Sequence, residues 1–136
     1  MFKLIKIING RGNVPEPQYL KCDGKVPYYK GCLYFVSAGE AGSTAISETD
    51  MKFISLETIP ENSGKTEVCG FIVNENMVFE TDCYNDSDEI AEGDIVMIYQ
   101  DDKGENVGVE AVSGVDARII DKSTSKINGK VLVTLK

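Results

Sequence analysis

The side chains with the greatest capacity for chemistry are four cysteines, Cys22, Cys32, Cys69 and Cys83, in a chain without histidine. Histidine is the commonest general base and metal ligand, so its absence excludes serine–histidine and cysteine–histidine nucleophiles. No Cys-x-x-Cys pair occurs, which argues against a zinc knuckle or ribbon. Cys32 and Cys69 lie in apolar runs, where buried thiols are common. We predict four reduced structural cysteines in a reducing cytosol; disulfides and a four-thiolate metal site are the alternatives.

Carboxylates are the other reactive groups, and residues 75–94 hold eight of them without a single base. Residues 82–89 could offer several oxygens to calcium, but the glycine and the spaced final glutamate of an EF-hand are missing. A carboxylate pair could also serve a glycosidase, yet the chain lacks tryptophan to line a sugar cleft. Phosphate-binding glycine patterns are absent as well. We interpret the segment as a solvated acidic loop and predict no catalytic residue, no metal site and no cofactor.

Charge divides the chain into two parts. Residues 1–30, called the leader from here on, hold six bases and two acids, a net +4, whereas residues 31–136 hold eight bases and twenty acids, a net −12. The overall pI near 4.5 argues against a nucleic-acid-binding body and against an anionic membrane surface. No stretch has the continuous apolar length of a membrane span, and the start lacks the features of a signal peptide.

The leader also has an unusual backbone composition. Residues 10–17 contain two glycines and two prolines, which rule out a helix and weaken a strand. Val14 and Glu16 precede the prolines and are pushed towards extended conformations. Arg11 lies between the two glycines and can bind a carboxylate in bidentate fashion. An extended segment of this kind suits addition to a partner's sheet edge or groove; a mobile tail and an RNA-binding arm are the alternatives.

The rest of the chain has the pattern of strands. Short runs rich in Val, Ile and Phe are separated by turn signals at intervals typical of an antiparallel barrel or sandwich. We predict strands at 2–8, 33–37, 52–57, 67–73, 77–81, 94–99, 107–112, 117–121 and 131–135. One short helical turn is possible within residues 86–91. The fold class is therefore all-β, a small antiparallel barrel or sandwich with an extended N-terminal arm.

Several local expectations follow from the turn residues. Asp23-Gly24 and Asn128-Gly129 are dipeptides typical of two-residue hairpin loops. Residues 74–76 are expected to join 69–73 and 77–81 in a hairpin, and residues 101–104 to join 95–99 and 107–112. The pairs Tyr28-Tyr29 and Tyr34-Phe35 are each expected to place one ring in the core and one at the surface, because successive strand residues point opposite ways.

The order of these features resembles the head-decoration, or capsid-cement, proteins of tailed bacteriophages. The resemblance rests on residues 2–16, then 30–36, 52–57, 68–73, 91–96 and 129–133, where short apolar strands follow Gly-Asp and related turns. It implies a structural, non-enzymatic virion protein, made in the host bacterial cytoplasm, that binds the major capsid protein on the outer shell and stabilises it. It also implies possible self-association as a dimer or trimer.

The residues and the resemblance together give one set of expectations. Residues 1–30 form a basic arm with the first strand and a hairpin, and residues 31–136 form the acidic barrel. The predicted partner interface consists of Phe2, Leu4, Ile5, Arg11, Asn13, Val14, Pro15, Pro17 and Tyr19. The alternatives are another virion module of tail-tube or connector type and a β-barrel small-molecule binder or enzyme.

Overall fold

The computed structural model describes residues 1–7, 16–47, 49–84, 91–121 and 130–135. These residues form eleven strands and no helix. The strands are β1 Lys3–Ile7, β2 Gln18–Lys21, β3 Leu33–Ser37, β4 Glu40–Ser43, β5 Met51–Ser55, β6 Glu67–Ile72, β7 Met77–Tyr84, β8 Ile95–Gln100, β9 Asn106–Ser113, β10 Ala117–Asp121 and β11 Lys130–Leu135. The all-β prediction is confirmed, and the predicted strands at 33–37 and 117–121 have the observed bounds.

Five strands close into a barrel, which we call the first barrel. The order β7-β11-β10-β8-β9 is antiparallel throughout, and a parallel pairing of β7 with β9 completes the circle. Its interior is filled by aliphatic and phenyl side chains from alternate strand positions, as a barrel of this size requires. These include Phe79, Val96, Val109, Ile119 and Val133.

Strand β2 of the leader and four strands of the body also pair in a cycle, which we call the second ring. Its order is β3-β5-β6-β2-β4, and β4 returns to β3. The ring encloses a separate core that includes Tyr28, Tyr34, Phe53, Ile59 and Val68. The link between β2 and β4 is a single parallel pair, Lys21 with Glu40, so this is the weakest closure of the ring.

Strand β3 lies between the two cores. Leu33 and Phe35 belong to the first core, whereas Tyr34 and Val36 belong to the second. All four are at most 5% exposed, which explains why this strand is continuously apolar rather than alternating. The expectation that only one ring of Tyr34-Phe35 is buried is therefore wrong, because β3 has a core on each face. In the Tyr28-Tyr29 pair, Tyr28 is fully buried and Tyr29 is partly buried.

The two predicted hairpins have different outcomes. Strands β8 and β9 pair as a hairpin, and the turn is held by the Asp101 carboxylate, which accepts from the backbone N–H groups of Lys103 and Glu105. The hairpin predicted across residues 74–76 is wrong: β6 pairs with β2 and β5 in the second ring, while β7 pairs with β1, β9 and β11. The connection crosses from one core to the other, which a turn signal does not reveal.

The Asp23-Gly24 dipeptide does not close a two-residue hairpin either. The carbonyl of Gly24 accepts a hydrogen bond from the N–H of Gly64, and Cys22 N–H donates to Thr66, so this turn packs against residues 62–66 rather than joining consecutive strands. Asn128-Gly129 and the helical turn expected at 86–91 lie in segments that the structure does not describe, apart from Ala91.

Candidate partner-binding face of the leader

Strand β1 joins the first barrel along one edge only. It pairs with β7 in antiparallel register, with a bulge between Leu4 and Lys6, and within the described ranges no strand pairs with its other edge. Lys3 and Lys6 are exposed, and Ile5 is 44% exposed. An open strand edge offers unpaired N–H and C=O groups to another chain, and lysines at such an edge discourage indiscriminate pairing. The exposed edge of β1 is thus a candidate docking edge.

Phe2 holds this strand in place, and its side chain is almost fully buried. Its side chain is 4% exposed, and its ring packs edge-on against Phe79 with centroids 6.3 Å apart. Its N–H donates to the carbonyl of Gly31 at 2.8 Å. Phe2 fills the core of its own barrel and leaves little side-chain surface for a partner, so the partner contact predicted for it stays a prediction. Leu4 is half-buried against the same core.

A groove opens beside β1, between this strand and the ends of β5 and β6. We call it the leader groove; its volume is about 530 Å³ and it is lined by Met1, Phe2, Lys3, Leu4, Lys30, Gly31, Ile54, Ser55, Leu56 and Phe71. Leu56 and Phe71 are half-buried on its far wall. Sequence reasoning missed these two residues. Leu56 follows β5 and Phe71 is near the end of β6, and other apolar side chains of these strands fill the cores. No local signal distinguishes an apolar residue that lines a groove from one that fills a core.

The second leader strand, β2, lies between β4 and β6 in the strand order, far from β1. It pairs with β6 along residues 18–21 and touches β4 only through Lys21. Tyr19 is 67% exposed, and Pro17 just before the strand is exposed too. A tyrosine with this exposure can serve as an interface anchor. Arg11, Asn13, Val14 and Pro15 lie outside the described residues.

The lysines of the described leader all face solvent. Lys3, Lys6, Lys21, Lys25 and Lys30 are exposed in the structure. The leader strands are nevertheless part of the continuous sheet, because β1 pairs with β7 and β2 pairs with β6. The positive charge seen in the sequence is therefore presented from a fixed framework on both sides of residues 8–15.

Asp82 connects the start of the chain to the first barrel. Its Oδ2 lies 2.6 Å from the amino group of Met1 and its Oδ1 lies 3.0 Å from the ammonium of Lys130. Partial burial alone would raise the pKa of Asp82, but hydrogen bonds from these two cations outweigh it and lower the pKa below its ordinary value. The same contact raises the pKa of Lys130.

Glu105 is one of three buried charged residues among those described, with Lys52 and Asp116, and is 8% exposed. Burial raises its pKa, and the nearby Asp101 adds to the rise, while a hydrogen bond with the Tyr34 hydroxyl partly opposes it. The Oε2 atom of Glu105 has no hydrogen-bond partner. Burial also raises the pKa of the Cys32 thiol nearby, to about 11, so this thiol is a poor nucleophile.

The remaining candidates for chemistry are weaker. A second cleft, of about 590 Å³, lies between the start of β5, residues 73–76 and β10–β11, and its four charged residues are two acids and two bases. Across the described ranges, no three His, Cys, Asp or Glu residues are grouped to hold a metal. All four cysteines carry thiols and none forms a disulfide. None of the described segments forms a helix long and apolar enough to cross a membrane.

Comparison with known proteins gives no relative: no family model, no curated protein and no solved structure matches this chain. The geometry of the leader strands therefore carries the functional argument.

Proposed function

We propose that this protein is a structural virion protein that binds the outer surface of a tailed-phage capsid and stabilises the assembled shell. The observation that carries the proposal is the leader: among the described strands β1 is paired along one edge only, and the described leader lysines are exposed on an otherwise acidic body. The resemblance to capsid-cement proteins supplies the identity of the partner, the major capsid protein. The protein acts on the virion surface after synthesis in the host cytoplasm.

The charge arrangement suits this role. A basic face steers the protein onto an acidic patch of a shell subunit, and the net −8 of the whole chain keeps decorated particles apart and repels packaged DNA. Because a shell repeats the same surface many times, a modest contact per copy is sufficient when copies also touch one another or span two subunits.

Gene order provides the first test. A gene for a major shell protein beside the gene for this chain is expected, and a neighbourhood without virion genes would argue against the proposal. The second test is co-sedimentation of the purified protein with shells assembled from that neighbouring capsid protein. Saturable binding to the outer surface is the expected result. Rings or tubes formed by the protein alone, seen by size-exclusion chromatography and negative-stain microscopy, would instead favour the tail-tube alternative.

Substitutions of exposed leader residues test whether this part of the protein contacts the shell. The triple variant K3E/K6E/Y19A changes only exposed side chains, whereas deletion of the leader would also remove the core residue Phe2. We expect at least about tenfold weaker shell binding, equivalent to about 1.4 kcal/mol. The matched control is K103E in the β8–β9 turn, which also reverses an exposed lysine. Equal shell binding by the triple variant and the control would refute the assignment of the face.

A further inference from the structure

We propose that the leader groove is a docking site for an extended segment of another polypeptide, one that places an apolar side chain in the groove and acidic side chains against Lys3 and Lys30. The inference rests on the proposed function for the existence of a partner and specifies the part of the partner that is recognised.

The floor and far wall of the groove are apolar. Leu4, Leu56 and Phe71 are each half-buried, and the fully buried Ile54 lies behind them. Half-buried apolar side chains that converge on one concavity gain from further burial, at about 25 cal/mol per Å² of apolar surface removed from water. The volume of about 530 Å³ falls in the roughly 300–1,000 Å³ range typical of ligand sites. An apolar side chain is therefore the natural occupant.

The rim of the groove selects the charge of that occupant. Its lining contains two lysines, Lys3 and Lys30, and no acid. Both lysines are exposed; Glu80 lies opposite Lys3 in the register of β1 and β7, outside the lining. The whole chain has 22 acids and 14 bases. A groove whose only charged side chains are two lysines therefore reverses the overall charge locally. An anionic partner is attracted there and a cationic one is repelled.

The backbone of β1 favours a peptide in extended form as the occupant of the groove. The N–H of Phe2 donates to Gly31, on the side away from β7. Because alternate residues of a strand turn their N–H and C=O groups to the same edge, the backbone of Leu4 also faces that side. A peptide strand added along this edge would form hydrogen bonds with the backbone of β1 and place an apolar side chain in the groove. A fatty acid could use the apolar wall and the lysines but not the strand edge.

The test uses the full-length, ¹⁵N-labelled protein and three probes: acetyl-Glu-Ile-Thr-Val-Glu-amide, the same peptide with lysine in place of glutamate, and dodecanoate. We expect the acidic peptide to shift the amide resonances of Lys3, Leu4, Leu56 and Phe71 in a saturable way, and to bind at least about tenfold more tightly than the lysine peptide. Stronger binding of dodecanoate than of the acidic peptide would overturn the inference, as would equal binding of the two peptides or no shift at the groove.

Variants separate this site from the rest of the surface. The double variant K3E/K30E should reverse the preference between the two peptides, and L56D should abolish binding, while K103E should leave it unchanged. Far-UV circular dichroism and thermal unfolding confirm that each variant is folded; should L56D be unfolded, the charge reversal still decides. If the protein binds shells but does not bind the acidic peptide, only the assignment of the groove as the docking site fails. If the peptide binds but shells do not, the proposed function fails and the groove stands.

Discussion

Because β3 contributes side chains to both cores, the two cores should unfold together. Its side chains alternate between them, with Phe35 in the first core and Tyr34 in the second. Loss of either core would leave one face of β3 without its packing. We therefore predict that a cavity confined to the first barrel lowers the stability of the second ring by the same amount.

The perturbation is Phe79→Ala. Phe79 is fully buried in the first core and belongs to β7, which has no strand pairing with the second ring among the described strands. Removal of a buried phenyl ring costs about 3–5 kcal/mol through lost burial and the cavity left behind. In a domain of 136 residues, each kcal/mol lowers Tm by about 4 °C. The expected fall in Tm is therefore about 12–20 °C.

The distribution of aromatic residues provides the assay. The chain has no tryptophan and six tyrosines. Tyr28 and Tyr34 lie in the second core, Tyr29, Tyr84 and Tyr99 pack against it, and Tyr19 is on β2 of the same ring. Near-UV circular dichroism of tyrosine thus monitors mainly the second core, although Tyr84 and Tyr99 are carried by β7 and β8 of the first barrel. Far-UV circular dichroism monitors all strands. In the Phe79→Ala variant both signals should shift to one common, lower Tm.

The converse variant and a control complete the design. Phe53→Ala empties a fully buried position of the second core and should also produce a single transition. Val115→Ala changes a side chain that is 55% exposed, and its effect should stay within about 0.5 kcal/mol. Two separate transitions, or a tyrosine signal that keeps its original Tm in Phe79→Ala, would refute the argument that β3 couples the cores.

Three further predictions concern single sites. Gly70→Ala should destabilise the protein by about 1–3 kcal/mol in urea titrations, because its Cβ would overlap the carbonyl oxygen of Ile54; wild-type stability would contradict this. Glu105→Gln should raise stability at pH 7 and less at pH 4. The raised pKa of Glu105 means that the native state holds its proton more tightly, so stability falls as pH rises; an equal gain at both pH values would refute the burial argument. Asp82→Asn should cost up to about 1 kcal/mol at pH 7 and progressively less as the pH falls and Asp82 becomes protonated. The lowered pKa of Asp82 gives stability that is lost as pH falls, and the exposure of its partner Lys130 weakens the pair; a pH-independent cost would refute the ion-pair explanation.

Local patterns predicted the strands better than they predicted strand partners. The apolar run of β8, the turn at residues 101–104 and the alternation of β9 were sufficient to predict that hairpin, because its contacts are close in sequence. The turn at residues 74–76 gave an equally strong signal, yet β6 and β7 belong to different cores. Membership of a core depends on contacts between distant segments, which a local pattern does not contain.

For the candidate site too, the sequence predicted some features and not others. The charge of the leader and the exposure of Ile5 and Tyr19 follow from residue types and strand alternation. The burial of Phe2 and the groove beside it do not, because they depend on how β1 meets Gly31 and Phe71, which are distant from it in the sequence. The sequence thus predicted which segment presents a surface, and only the fold shows which side of that segment is available.

The burial of Phe2 changes the physical character of the proposed docking. A wholly flexible arm must lose backbone entropy of about 1–2 kcal/mol per residue when it becomes ordered on a partner. Strand β1 is already ordered, because the Phe2–Phe79 contact and the Phe2–Gly31 hydrogen bond fix one end of it while its outer edge stays open. The backbone entropy of β1 is therefore lost when the protein folds and not when it binds a partner. A preorganised edge with a small apolar groove can therefore bind a partner segment with less contact area than a flexible arm of the same length would need.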